Sequence, residues 1–157
     1  MRRVVITGMG IYSCLGTNID AVRDSLYNGV SGIVFDPIRK EMGFRSALTA
    51  KLEVPELKGV LSRSQRVYMP EQAKYAYVAT VEALKNAGID QDYLDTHEVG
   101  LMYGNDSSAE PVYKSIQTML DKKDTTLIGS GGIFQSMNST VTMNLACIFK
   151  LKGMNLT

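Results

Sequence analysis

Three short apolar runs, set between stretches of helical periodicity, restrict the fold of this chain more than any other feature. Val4-Val5-Ile6-Thr7 is a β-branched run closed by Gly8-Met9-Gly10, and it reads as a buried central strand entering a tight loop. Val99-Gly100-Leu101-Met102-Tyr103-Gly104 reads as a second strand, and Gly153 opens a third that runs to Thr157. The runs are continuous rather than alternating, which predicts strands covered on both faces. The fold class is therefore α/β, with a parallel-rich mixed sheet covered by helices. Three strands shield such a sheet poorly, and the third arrives as the sequence stops. The expectation is a partial N-terminal domain over residues 1–157, the front piece of a larger protein.

The helices between the runs carry their own punctuation. Asn18 is placed to cap a helix with Ile19, Val22 and Leu26 on one face and Asn28-Gly29 as its stop. From Val30 to about Val54 no period persists, and an extended excursion with one short hairpin is expected. Pro70 to Ala87 is the strongest helix, with proline in its first turn and Gly88 closing it. Glu110 to Leu120 predicts a shorter helix, Gly129-Ser130-Gly131-Gly132 a flexible loop, and Phe134 to Leu151 one long apolar helix.

Composition excludes several classes. Seventeen basic against sixteen acidic residues leave no global field for nucleic acid or an anionic membrane. Arg2 and Arg3 before Val4-Val5-Ile6 mimic a signal peptide, but Gly8 and Gly10 break the run far short of a span. A cytoplasmic protein is expected. Cys14 and Cys147 lack a metal-ligand spacing and His97 is the single histidine, so no metal or cofactor is expected, only two buried reduced thiols.

Each candidate motif has a functional and a bland reading. Thr7-Gly8-Met9-Gly10 invites dinucleotide binding, since glycines after a strand let the backbone approach a pyrophosphate. The capped helix starts too late at Asn18, and no acidic ribose partner follows, so a structural turn is preferred. Gly104-Asn105-Asp106-Ser107-Ser108 lies at the C-terminal end of a strand, where α/β proteins place ligands, or is a solvated cap. Asp106 has no local histidine for a Ser-His-Asp site. Gln135-Ser136-Met137-Asn138-Ser139-Thr140 suits packing against a partner helix or an acyl chain, or an ordinary core helix. Arg63 and Arg66, near Lys58, form a basic cluster for an acidic partner, or a solvated face.

In order and spacing, Arg3-Val4-Val5-Ile6-Thr7-Gly8-Met9-Gly10, Gly16, Ser31-Gly32-Ile33, Val99-Gly100-Leu101 with Gly104, and Phe149-Lys150-Leu151-Lys152-Gly153-Met154-Asn155 form one set. Together they resemble the N-terminal part of β-ketoacyl acyl-carrier-protein synthases of the elongating type I and II kind, over nearly the whole chain. The resemblance implies a thiolase-like fold of two related halves, a homodimer, and a decarboxylating Claisen condensation of an acyl thioester with malonyl-carrier protein in fatty acid or polyketide-type synthesis. It places the nucleophilic cysteine shortly past Thr157, with two histidines and a lysine further on. Neither Cys14 nor Cys147 matches it, so the chain alone is expected to be inactive.

What the resemblance carries onto this sequence is peripheral. Ser107 matches the loop position that limits the acyl pocket, and Met137 the one reaching that pocket across the dimer interface. Arg63 matches a position that docks the acidic acyl carrier protein. Arg66 is one place off, and Ser64 stands where a lysine is usual. Asn105-Asp106 replaces small or glycine residues, which implies a different acyl specificity. The alternatives are a non-catalytic synthase-like partner subunit and, from a different class, a nucleotide-binding module.

Overall fold

The computed structural model describes residues 3–106 and 108–157. The chain divides into two compact units, Met1–Val54 with Val78–Gly88, and Pro55–Tyr77 with Ile89–Thr157.

In the first unit, helix α1 (Ile19–Tyr27) starts where the sequence signals it. The Asn18 side chain accepts from the Ala21 N–H, and the helix stops at Asn28 before Gly29 in the left-handed region (φ 62°). The excursion contains the expected hairpin, β1 (Ile33–Phe35) paired antiparallel with β2 (Leu48–Ala50). It also holds a short helix, α2 (Pro37–Glu41), between them, capped by Asp36.

Val4 to Thr7 corrects the sequence reading. These residues form no ladder, and Val4, Val5 and Ile6 are 96%, 72% and 85% exposed, where a buried central strand was expected. The described residues provide this run with no neighbouring strand, and an isolated extended segment cannot satisfy its own backbone. The run instead continues into Gly8 and Gly10, which lie against a helix in this unit.

That helix is α4 (Glu71–Ala87), whose Val78–Ala87 part belongs to the first unit. A Cβ on Gly10 would sit 1.9 Å from the Ala79 carbonyl oxygen, and one on Gly8 2.4 Å from that of Ala83. The two glycines therefore serve close approach of backbone to helix. Asn86 and Glu82 fasten the segment, accepting from the Met9 N–H (3.1 Å) and the Ile11 N–H (2.9 Å).

The second unit contains α3 (Arg63–Val67), the Glu71–Tyr77 part of α4, α5 (Gln91–Thr96), β3 (Leu101–Met102), α6 (Glu110–Lys122), α7 (Gly131–Ser136), α8 (Thr140–Phe149) and β4 (Asn155–Leu156). Strands β3 and β4 pair in parallel, Leu101 opposite Asn155 and Met102 opposite Leu156, with α6, α7 and α8 forming the crossover. The expected parallel pairing is there, trimmed to two residues per strand, but Met102 and Leu156 are exposed where strands covered on both faces were expected. Its core gathers Leu94, Val141 and Leu145, each at most 2% exposed, with Met69 and Ala73.

The single helix expected from Phe134 to Leu151 is two. Met137 takes an extended conformation (ψ 146°) after α7, and α8 begins at Thr140. Ser136, Asn138 and Ser139 are the residue types that compete with helical bonding through local side-chain contacts, and here Ser136 Oγ donates to the Ile133 carbonyl.

Candidate functional site

The ladder between β3 and β4 sets the geometry of the strand-end loop. Tyr103 N–H donates to the Leu156 carbonyl at 3.1 Å, and two residues later the chain reaches Asn105. Burial pushes the Tyr103 phenol above its ordinary pKa. Asn105 Nδ2 donates to the backbone carbonyl of Asn138 at 2.8 Å, joining the loop to the break between α7 and α8. Met137 lies in that break and is 45% exposed. The structure thus brings Asn105 and the Met137 segment together. Ser107 lies outside the described residues.

Arg63 and Arg66 sit one turn apart on α3. Ser62 and Gln65 form a complete capping box at its start: the Ser62 hydroxyl accepts from the Gln65 N–H, and the Gln65 side chain accepts from the Ser62 N–H. Arg63 is exposed, whereas Arg66 is half-buried and donates from Nε to the Leu61 carbonyl at 3.1 Å. Among the described residues no ion pair engages either arginine. The exposed Arg63 guanidinium and Lys58 ammonium face solvent, and Arg66 contributes charge with one donor already used.

Two side chains, Gln135 from the singled-out Gln135–Thr140 segment and Asn144, which the sequence reading did not name, tie α3 to the apolar helices. Gln135 Nε2 donates to the Val67 carbonyl at 2.8 Å, and the buried Asn144 donates to those of Tyr68 (3.2 Å) and Thr140 (2.7 Å). Tyr68 also meets Phe134 edge-on, with ring centres 5.7 Å apart. A cavity of about 440 Å³ opens beside this junction, lined by Val67, Tyr68, Pro111, Ser115, Gly131 and Gln135 among others.

The remaining candidates have structural explanations. In the first unit the Glu82 carboxylate accepts from the Ile11 N–H and from the Ile19 N–H at 2.8 Å, so the start of α1 is already held by an anion. A phosphate there would face that carboxylate, which counts against a nucleotide module. A groove of about 840 Å³ beside Gly8–Ile11 is mostly apolar, and its Arg23 is paired with Asp20 and Asp24.

Both cysteines are free, Cys14 half-buried and Cys147 exposed on α8, against the expectation of two buried thiols. His97 stacks on Tyr93 with ring centres 3.9 Å apart. Among the described residues no three metal-ligating side chains gather, and no helix is long and apolar enough to cross a membrane.

Comparison with known proteins covers the same ground. The family model described as "Beta-ketoacyl synthase, N-terminal domain" matches residues 1–157. The 3-oxoacyl-(acyl-carrier-protein) synthase 1 of Buchnera aphidicola subsp. Acyrthosiphon pisum is 35% identical over 156 residues, covering 98% of this chain and 38% of that protein. A β-ketoacyl synthase structure from Burkholderia phymatum STM815 superimposes with a TM-score of 0.82 at 30% identity, over 99% of this chain and 39% of its own. A type II polyketide carrier protein in complex with its ketosynthase, AntDE:AntF, contains a chain similar in fold, with a TM-score of 0.75 at 17% identity, over 99% of this chain and 41% of that one. The chain spans about two-fifths of the length of these relatives.

Proposed function

This chain belongs to the β-ketoacyl synthase family, matched as its N-terminal domain with the thiolase-like fold, and from that premise we propose that it forms the scaffold and acyl-pocket wall of a 3-oxoacyl-carrier-protein synthase. The observation that carries this reading is the match of the whole chain, at 35% identity, to a protein of that name. The reaction assigned is a decarboxylating Claisen condensation. An acyl group passes from a carrier thioester to a cysteine thiolate, releasing the carrier thiol. Malonyl thioester loses carbon dioxide, and the resulting carbanion attacks the acyl-cysteine carbonyl and expels the cysteine thiolate.

Within this scheme the residues of this chain bind and shape. Met137, on the break between α7 and α8, borders the acyl chain, with Ser107 as the small residue leaving room at the loop. Exposed Ile133, Phe134 and Met137 suit a second copy packing over that segment as a homodimer. Arg63, with Arg66, is assigned to steer an acidic carrier protein by charge; a carrier protein in complex with its ketosynthase, AntDE:AntF, supports that class of partner. The family resemblance assigns the nucleophile to residues outside this chain, which covers 38% of its relative's length; Cys14 lies in a loop of the first unit and Cys147 on α8.

A condensation assay tests the reading. Acyl- and malonyl-carrier protein are supplied to the polypeptide of the whole reading frame and, separately, to the 157-residue chain. The expected result is 3-oxoacyl product from the former and none from the latter. Product from the short chain, or none from the long one, overturns the assignment.

A further inference from the structure

The break between α7 and α8 is held by a few local bonds and by one side-chain donor from outside it. Ser139, at the N-cap of α8, makes no side-chain capping bond, and Met137 leaves the helical region altogether. Local bonds do exist: Thr140 N–H donates to the Met137 carbonyl at 3.1 Å, and Thr142 Oγ1 to that of Ser139 at 2.9 Å. Between those two carbonyls lies that of Asn138, and its side-chain donor comes from outside the turn. That donor is Asn105, 33 residues away in sequence, held two residues past the last β3–β4 ladder bond.

We propose that Asn105 is a positioning residue for acyl-chain length, acting by anchoring the turn that carries Met137. The inference rests on the functional reading above, in which Met137 borders an apolar acyl chain. A methionine is flexible, so the boundary it sets is only as sharp as the backbone holding it. Asn105 supplies an amide donor from a strand end whose register is set by paired backbone. The turn bearing Met137 is thereby referenced to the sheet rather than to the helices alone. Losing the donor frees the Asn138 carbonyl and lets Met137 retreat, so the pocket tolerates longer chains.

Asn105→Asp tests this with almost unchanged shape, since a carboxylate cannot donate to a carbonyl. With the whole-frame protein, the kcat/KM ratio of the longest accepted primer to a short primer should rise about fivefold, the equivalent of one lost hydrogen bond. Asn105→Gln keeps a donor and should fall closer to the parent. In a Met137→Ala background the Asn105→Asp effect on this ratio should vanish, a coupling that general destabilisation does not produce. On the 157-residue chain, amide exchange at Thr140 and Met143 should accelerate in Asn105→Asp, a readout independent of activity.

An unchanged length ratio with normal turnover, or the same shift with Met137 removed, overturns the inference, as does unaltered exchange at those amides. Absence of product from the parent instead overturns the functional reading beneath it.

Discussion

Adding one methyl group at Gly10 tests the packing of the first unit at its tightest point. A Cβ there would lie 1.9 Å from the Ala79 carbonyl oxygen and 2.7 Å from the Ala83 nitrogen. Both are backbone atoms of α4 and cannot rotate away, so the Gly8–Ile11 segment must withdraw by about 1.5 Å to regain an ordinary separation. That movement breaks the Met9–Asn86 bond and the Ile11–Glu82 bond. A neutral hydrogen bond contributes about 1 kcal/mol and one to a carboxylate about 2 kcal/mol, giving about 3 kcal/mol lost. Stiffening of the unfolded chain by alanine returns about 0.5 kcal/mol. Gly10→Ala should therefore destabilise by about 2.5 kcal/mol in urea unfolding followed by far-UV circular dichroism. Gly129→Ala is the control, since nothing lies within 4 Å of its Cβ position and its backbone is not left-handed; it should leave stability equal or slightly raised. A Gly10→Ala protein within about 0.5 kcal/mol of the parent would refute the argument.

Other perturbations address the remaining elements. Leu145→Ala removes a fully buried side chain and should destabilise by about 2–5 kcal/mol, read by the same denaturation; a change below about 1 kcal/mol would place that residue outside the core. Burial raises the Tyr103 pKa, so the stability it supports is complete below about pH 10 and is lost as pH rises through the raised folded value. Tyr103→Phe should flatten that alkaline loss, and an unchanged alkaline limb would contradict it. Cys147 should react with iodoacetamide before Cys14, as peptide mapping would show, and equal rates would contradict their different exposure. With Val4, Val5 and Ile6 exposed, the 157-residue chain should self-associate at high concentration, and a monodisperse monomer by light scattering would count against that.

How much of this was legible depended on whether a signal was local. Asn18, Pro70 and Gly88 punctuate helices through their own backbone chemistry, and α1 and α4 follow them closely. The capping box of Ser62 and Gln65 and the Asp90 cap were equally local, yet α3 and α5 went unread because each is too short to show a period. Val4–Thr7 has the composition of a buried strand, but pairing requires a neighbour that composition cannot supply. The break at Met137–Ser139 was masked by apolar periodicity continuing on both sides. At the candidate site, the Arg63–Arg66 cluster and the segment holding Met137 are legible from residue type, and the family resemblance adds the roles expected of them. The Asn105–Asn138 bond depends on strand register and could not be read from spacing.

The most direct measurement is intact-mass spectrometry of the 157-residue chain after incubation with acyl-carrier protein. An unchanged mass is expected, with neither Cys14 nor Cys147 taking up an acyl group. A stoichiometric acyl adduct on either thiol would contradict the assignment of this polypeptide as pocket wall without a nucleophile.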